Sequence, residues 1–253
     1  MIVCKSPAEI GRMRAANALV AQVLGELAAM VAPGVSPLDL DAAAEKSVRA
    51  AGAEPAFKGY RGYPATLCAS VNEQVVHGIP NKRPLAAGDI VSLDMGVKLN
   101  GFYGDSAVTV PVGPVSDDMK RLLRVTEEAL EQGIAQVRIG GRISDIGHAI
   151  QRHVEASGFT VVREFVGHGI GASLHEEPQI ANYGEPGRGP RLAEGMTLAI
   201  EPMVNMGKPS VKVLADGWTA VTRDGSLSAH FEHTVAVTKN GPLIMTLRPT
   251  PVA

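Results

Sequence analysis

Two acidic residues converge on one face of a predicted β-hairpin. Segment 89–110 contains two stretches rich in β-branched and aromatic residues, joined at Asn100-Gly101, and Asn-Gly is the strongest short-range signal for a hairpin turn. If this dipeptide forms the turn, Gly96 lies opposite Asp105, and Asp94 becomes the diagonal neighbour of Asp105 on the same face. Two carboxylates within roughly 7 Å of each other either share a proton or bind a cation.

The surroundings of these acids favour a cation site. The alternative is a pair of acids on a solvated strand face, separated by water. Both strands are apolar around Asp94 and Asp105, however, and an unpaired buried charge is costly. We therefore predict that the hairpin carries part of a metal site.

Two further acids interrupt apolar segments in the second half of the chain. Glu201 lies within the strand-like segment 196–204, and Glu232 lies within segment 231–238. Each acid alone could form a salt bridge with an Arg or Lys, and a buried acid needs either that or a cation. We expect the four acids to lie on two related hairpins, and this arrangement favours a shared cation.

Histidines beside glycines are the remaining candidates for chemistry. His168 lies in the glycine-rich segment 167–171, which we interpret as a tight turn that lets a metal or substrate approach, and not as a dinucleotide loop, because no helix start follows. His175 follows seven residues later, and His77 lies beside a glycine in the corresponding part of the first half. His230 could reach the vicinity of the metal site, whereas His233 should point to the opposite face.

The order of the predicted elements indicates an α+β fold. Serines followed by helix-forming segments predict helices after Ser6, Ser36 and Ser116, and segment 144–157 predicts a fourth helix. Both halves run helix, helix, strands and then a hairpin bearing carboxylates, which predicts one pseudo-symmetric domain over residues 1–253, with halves of about 1–112 and 113–253. Helices should cover one side of an antiparallel sheet.

Composition excludes several classes of protein. A net charge of −2 with no basic block gives no sign of binding to nucleic acid or to an anionic membrane. The apolar segment 15–31 is interrupted by polar residues and suits an amphipathic helix better than a signal peptide or a membrane span. Two cysteines make no disulfide framework. We expect a soluble, cytoplasmic protein.

These residues lie in motifs that resemble those of the type I methionine aminopeptidases. The resemblance covers nearly the whole chain, and several long motifs occur in the right order: Ser70-Val-Asn-Glu-Gln-Val-Val-His-Gly-Ile-Pro80, Gly167-His-Gly-Ile-Gly171, His175-Glu-Glu-Pro178, Ile200-Glu-Pro-Met203 and Trp218-Thr-Ala-Val-Thr222. The resemblance implies the pita-bread fold, in which two pseudo-symmetric αβ halves enclose the site.

The resemblance also implies a centre with two divalent ions, of Mn, Fe, Co or Zn. By that similarity Asp94 binds one ion, His168 and Glu201 bind the other, and Asp105 and Glu232 bridge the pair. Water activated by the metals would attack the first peptide bond.

Further roles follow from the same resemblance. Glu201 would accept a proton, and His77 and His175 would hold the scissile amide and the developing charge. The methionine pocket would involve Tyr60, Tyr63, Cys68 and Trp218. Position 174 is commonly aromatic in relatives but is Leu174 here, which affects the shape of the pocket and not the metal ligands.

The implied function is removal of the N-terminal methionine from nascent polypeptides whose second residue is small. The closest rival is an Xaa-Pro aminopeptidase or prolidase of the same fold, which usually carries a sizeable N-terminal domain. A second rival is a non-catalytic binding module, but such a module should have lost ligands. We also expect a monomer, and any contact with the ribosome must be made by the domain itself.

Overall fold

The computed structural model describes residues 1–247 and consists of helices packed on antiparallel sheets. Four α-helices and fifteen strands lie in this range, besides a 3₁₀ turn at Tyr60–Gly62. The elements are α1 Pro7–Met30, α2 Pro37–Ala50, β1 Glu54–Pro55, β2 Cys68–Val71, β3 Gln74–Val76, β4 Ile90–Leu99, β5 Phe102–Pro111, α3 Asp117–Ile134, α4 Ile143–Ala156, β6 Thr160–Val161, β7 Gly167–Gly169, β8 Glu176–Ile180, β9 Thr197–Ile200, β10 Met203–Asn205, β11 Val211–Val213, β12 Ala220–Thr222, β13 Ser228–His230, β14 His233–Thr238 and β15 Gly241–Ile244.

The first two helices begin where their capping residues predict. The Ser6 and Ser36 side chains accept hydrogen bonds from the backbone N–H groups of Glu9 and Asp39, and these acids bond back to the serine N–H groups. Each cap thereby satisfies N–H groups that a helix start leaves without an intrahelical partner. Most of segment 15–31, for which a signal peptide was the alternative interpretation, lies within α1. Within residues 1–247, no helix combines the length and apolar character needed to cross a bilayer.

The predicted hairpin is confirmed in both turn and register. Asn100 and Gly101 have φ values of 54° and 80°, the left-handed conformations that a two-residue hairpin turn of this kind requires. Gly96 pairs with Asp105, and Asp94 pairs with Ala107. Asp94 and Asp105 are therefore diagonal neighbours, as the turn dipeptide predicts.

The strands of the described residues all pair antiparallel, in four sheets. Strand β5 lies along one edge of β4, and β1 and β2 lie along the other. The second half contributes the five-stranded sheet β15-β14-β9-β7-β8 and the sheet β13-β10-β6. The fourth sheet, β11-β12-β3, joins the halves, because β3 precedes the hairpin in the chain and β12 belongs to the second half.

The helices cover the sheets on the side away from the acids. Helix α1 packs against β4 and β5, and α3 packs against α4 and against β9, β10 and β13. A Cβ atom on Gly104 of β5 would lie 2.9 Å from the backbone nitrogen of Asn17 in α1. The glycine therefore lets the helix backbone rest directly on the sheet.

Two expectations about the second half are wrong. Glu201 and Glu232 do not lie on a tight hairpin: β9 and β14 pair through Ile200 and His233, but about thirty residues separate them along the chain. Segment 167–171 is also not a tight turn, because Gly167–Gly169 forms strand β7 between β8 and β9. Cβ atoms on these two glycines would strike carbonyl oxygens of the neighbouring strands, so the glycines serve close strand packing.

Candidate active site

The structure brings five predicted side chains together from distant parts of the chain. Asp94 and Asp105 come from the hairpin and His168 from β7; Glu201 directly follows β9, and Glu232 directly precedes β14. Asp105, His168 and Glu232 each offer an atom within 4.8 Å of the others. The Nε2 atom of His168 lies 3.7 Å from a carboxylate oxygen of Glu201 and 4.0 Å from one of Asp105.

Backbone contacts between the halves place the carboxylates. The N–H of Glu232 donates to the carbonyl of Ala107 at 3.0 Å, and the Ser106 hydroxyl donates to the Glu232 carbonyl at 2.6 Å. The hydroxyl of Thr234 donates to the Asp105 carbonyl at 2.7 Å. Strand β5 and the segment entering β14 are therefore bonded side by side, which holds Asp105 and Glu232 on one surface.

Glu201 is fixed by the interruption of its strand. Pro202 follows it and cannot donate a backbone hydrogen bond to a neighbouring strand, and the sheet containing β9 ends there. The amide of Asn182 donates to the Glu201 carbonyl at 3.0 Å. The side chain, 14% exposed, is left pointing into the cluster.

Burial and mutual repulsion make the acids of this cluster hard to ionise without a cation. Burial raises the pKa of Asp94, and the charge of Asp105 raises it further. Burial raises the pKa of Asp105 to about 7, and burial and the neighbouring carboxylates raise the pKa values of Glu201 and Glu232 well above their usual range.

Unpaired atoms in the cluster fit a metal centre. One oxygen each of Asp94, Asp105 and Glu232 is buried without a hydrogen-bond partner, which is costly unless a ligand satisfies them. His168 Nδ1 donates to the Gly169 carbonyl at 2.8 Å, so its Nε2 presents a lone pair to the acids. Burial lowers the pKa of His168 to about 3, and a neutral imidazole with carboxylates is a donor set that suits borderline divalent metals.

A cavity of about 160 Å³ opens onto this cluster. All the residues predicted for substrate contact line it together with the five clustered side chains; they are Tyr60, Tyr63, Cys68, His77, His175 and Trp218. Leu174, noted for its departure from the resemblance, also lines the cavity and is buried.

Two lining residues, Phe57 and Arg61, were not predicted. Both lie in a segment rich in Gly and aromatic residues, and that composition was the only signal that could have found them. Phe57 packs in the same apolar cluster as Leu174. An aromatic ring from another segment therefore belongs to the same apolar cluster as the leucine at position 174.

The inner wall of the cavity is rigid and apolar. The Tyr63 hydroxyl lies 3.0 Å from the carbonyl oxygens of Leu67 and Gly78, so it is engaged away from the cavity, and its ring meets Trp218 edge-on at 5.1 Å. Cys68 pairs with Asp94 in the sheet. Burial raises the pKa of the Cys68 thiol, which makes it a neutral wall group and a poor nucleophile.

The two predicted substrate histidines differ in their surroundings. His77 has a φ of 59°, meets Phe165 edge-on at 5.4 Å, and has its pKa lowered by burial to about 4. His175 is exposed at the rim, with its Nδ1 2.9 Å from the Tyr60 hydroxyl and its ring centroid 4.3 Å from that of His168. Partial burial of its ring and the charge of Arg61 lower the pKa of His175.

Among the histidines outside the predicted site, His230 lies closest to it. Its Nε2 is 3.6 Å from Glu201, and neither ring nitrogen has a hydrogen-bond partner within residues 1–247. His233 instead bonds Thr246 at 2.8 Å. His148 and His153 are satisfied on α4 by the Gly184 carbonyl and by Glu128.

Comparisons with known proteins agree with this geometry. The model of metallopeptidase family M24 matches residues 11–239. Methionine aminopeptidase 1 of Bacillus subtilis is 56% identical over 246 residues, which cover 97% of this chain and 99% of the relative. The crystal structure of methionine aminopeptidase from Thermotoga maritima superposes with a TM-score of 0.96 at 50% identity, covering 97% of this chain and 99% of that one.

A prolidase from Pyrococcus horikoshii shares the fold alone, with a TM-score of 0.78 at 22% identity, and this chain covers 66% of its length. The expected pita-bread fold is thereby confirmed. The chain belongs to metallopeptidase family M24, in the branch formed by the methionine aminopeptidases.

Proposed function

We propose that this protein removes the N-terminal methionine from polypeptides whose second residue is small, using two divalent metal ions. The observation that carries the proposal is the convergence of four carboxylates and one imidazole, with unpaired buried oxygens, at one cavity. Identities of 50–56% with methionine aminopeptidases over nearly the whole chain support the same substrate.

Each of the five clustered side chains has a proposed role as a ligand. Asp94 would hold one ion, His168 and Glu201 would hold the other, and Asp105 and Glu232 would serve both. The cluster of Asp105, His168 and Glu232 atoms within 4.8 Å supports this assignment. Mn, Fe, Co and Zn all suit such a mixture of oxygen and nitrogen donors.

When bound, such a metal pair lowers the pKa of an attacking water and polarises the scissile carbonyl. The protein supplies the groups around that chemistry. Glu201 accepts the proton of the attacking water, because its side chain points into the cluster and keeps some exposure to the cavity. His175, held through its Nδ1 by Tyr60, keeps Nε2 for the scissile amide, and His77 contacts the substrate from the inner side.

The apolar wall accounts for selection of methionine. Tyr63, Cys68 and Trp218 line the inner part of the cavity, and Tyr60 lines the part next to His175. Their surfaces suit an unbranched, polarisable thioether and offer no partner for a charged side chain. Phe57 and Leu174 complete this wall, so the shape of the pocket does not depend on position 174 alone.

The rival functions receive less support. Likeness to prolidases stays at 22% identity and concerns the fold alone. A non-catalytic module would not need the five candidate ligands, all of which are present and brought together here.

A peptide assay tests the proposal. The protein is treated with chelator or loaded with Mn or Co and then incubated with Met-Ala-Ser, Ala-Pro-Ala and N-acetyl-Met-Ala-Ser. We expect mass spectrometry to show loss of the first residue from Met-Ala-Ser alone, and only with metal. Turnover by rigorously metal-free protein, or a preference for Ala-Pro-Ala, would contradict the proposal.

Several finer expectations remain predictions. We infer that the protein acts as a monomer in the cytoplasm on nascent polypeptides and that it makes transient contact with the ribosome. A single domain over residues 1–253, with halves of about 1–112 and 113–253, also stays a prediction, and residues 248–253 lie outside the described part of the chain.

A further inference from the structure

Arg61 occupies a strained backbone position at the cavity. Its φ is 50°, between Gly59 at 87° and Gly62 at 91°. A residue with a side chain adopts this left-handed conformation at a cost, and such positions cluster at functional sites. The turn is closed by hydrogen bonds from Gly59 N–H to the Tyr63 carbonyl at 2.8 Å and from Tyr63 N–H to the Tyr60 carbonyl at 3.0 Å. The fold therefore places an arginine in a backbone conformation that glycine adopts at lower cost.

The guanidinium of Arg61 has no acidic partner among residues 1–247. Its Cζ lies 5.4 Å from the centre of the Tyr60 ring, and the residue is exposed. Arg49 and Arg124, by contrast, pair with Glu45 and Glu128, both at 2.8 Å. Arg61 thus presents an uncompensated positive charge beside the cavity.

The position of this charge relative to the substrate follows from its neighbours. Arg61 lies over Tyr60, and the Tyr60 hydroxyl bonds the exposed His175. Tyr63 and Cys68 are buried in the inner part of the same cavity. In the proposed binding mode the methionine side chain lies in the inner part of the cavity and the scissile amide lies at His175. The rest of the peptide then extends along the exposed rim, where Arg61 lies.

We propose that Arg61 is a specificity residue that binds a carboxylate of the substrate beyond its second residue. The carboxylate can come from an acidic side chain at the third position or from the C-terminus of a short peptide. This inference rests on the proposed function. The protein as a whole is acidic, with a net charge of −2, so a preference for acidic substrates has to come from a local cation such as this one.

The test measures kcat/KM of the metal-loaded protein for Met-Ala-Glu-Leu, Met-Ala-Gln-Leu and Met-Ala-Lys-Leu, all as C-terminal amides, and for Met-Ala-Gln-Leu also as the free acid. We expect the Glu peptide to exceed the Gln peptide by roughly three- to fivefold, the scale of one exposed ion pair. The ratio should shrink in high salt, which screens exposed charges. A preference confined to the free acid would assign the carboxylate to the C-terminus.

Two variants at one position separate charge from structure. Arg61→Asn removes the charge with a residue that tolerates the left-handed backbone, and it should bring the Glu-to-Gln ratio close to one. Arg61→Lys should keep part of the preference. The matched control is Arg152→Asn, an exposed arginine on α4 outside the cavity, which should leave the ratio at the wild-type value.

Distinct results would overturn the inference. The wild-type protein recognises no carboxylate if kcat/KM is equal for the Glu and Gln amides and also equal for the free acid and the amide. A loss in Arg61→Asn by the same factor on every peptide would make the residue merely structural. Failure of the metal-loaded wild type to cleave any Met peptide would overturn the proposed function itself.

Discussion

His175 differs from the five proposed ligands in exposure and in partner. It is exposed, and its Nδ1 is engaged by the Tyr60 hydroxyl at 2.9 Å. Asp94, Asp105 and Glu232, in contrast, are buried with an unpaired oxygen each. A residue in the first situation can meet a substrate, whereas those in the second need a cation. The two kinds of residue should therefore respond differently to mutation.

We predict that His175→Ala lowers kcat by roughly 10²–10³-fold, the loss typical of one donor aimed at developing charge, while the metal content stays near that of the wild type. Steady-state kinetics and elemental analysis measure the two quantities on one sample. Glu232→Ala is the comparison variant and should lose metal and activity together. If His175→Ala loses metal as completely as Glu232→Ala does, the assigned role of His175 is wrong.

For individual side chains, local sequence predicted part of the site well. The Asn100-Gly101 turn fixes the hairpin register, so the diagonal placement of Asp94 and Asp105 followed from sequence alone. Phe57 and Arg61 were missed, because their place in the cavity depends on a turn with left-handed backbone, which only the packed structure specifies.

At the scale of elements, the contact between α1 and β5 sets the position of the hairpin. Gly104 allows the backbone of the helix to approach the strand closely, next to Asp105. A side chain here would have to push α1 away from the sheet or shift the strand that carries Asp105. The stability of the fold and the geometry of the site are therefore coupled through this glycine.

We predict that Gly104→Ala lowers the free energy of unfolding by about 1–3 kcal/mol, the usual cost of overpacking. Chemical denaturation measures the change. The matched control is Gly25→Ala in α1, where a Cβ would meet nothing within 4 Å and the better helix former should stabilise by about 0.5–1 kcal/mol. An unchanged denaturation midpoint in Gly104→Ala would contradict this prediction, because it would show that α1 moves away from the sheet without loss of stability.

A buried ion pair anchors the loop that carries Leu174 and His175. The Lys5 ammonium lies 2.5 Å from a Glu176 carboxylate oxygen, with the two side chains 3% and 13% exposed. The other oxygen of Glu176 accepts the N–H of Ser173 at 3.1 Å. The segment before α1 is thus bonded to the rim of the cavity.

Lys5→Met should destabilise the protein by about 3–5 kcal/mol, because it leaves the Glu176 charge buried without its partner. Adding Glu176→Gln removes that charge and should recover part of the loss. Thermal unfolding of the single and double variants provides the measurement, and a double variant no more stable than Lys5→Met would contradict this account.

Elements formed by distant strands were the least predictable from sequence. The helix starts follow from local caps at Ser6 and Ser36. The second pair of acids, in contrast, was expected on a hairpin, and Glu201 and Glu232 come together only through the long-range pairing of β9 with β14. Register between such strands is set by tertiary packing and not by a turn dipeptide.

For the molecule as a whole, the acid cluster makes stability depend on pH and on metal. Burial raises the pKa of Asp105 from its ordinary 3.8 to about 7, and the pKa values of Asp94, Glu201 and Glu232 are raised as well. Between the unfolded and folded pKa values, the folded protein binds more protons than the unfolded chain. Its stability without metal must therefore fall as the pH rises through that window.

We predict that metal-free protein loses stability on the order of a few kcal/mol between pH 4 and pH 7, and that divalent metal restores it most at the upper end. Urea denaturation with and without chelator, at pH 4.5 and 7.5, measures this. Asp105→Asn removes one of the titrating groups and should flatten the dependence. Greater stability of the metal-free wild type at pH 7.5 than at pH 4.5 would contradict the prediction.

The bridge between Ala107 and Glu232 has a consequence for biosynthesis. Because the proposed ligands come from both halves, the ions have no complete site until a ribosome has synthesised residue 232 and the second half has docked on the first. A chain interrupted before that point leaves Asp94 and Asp105 without the other proposed ligands. We therefore expect peptidase activity to require both parts of the chain, and a product truncated before residue 232 to lack it.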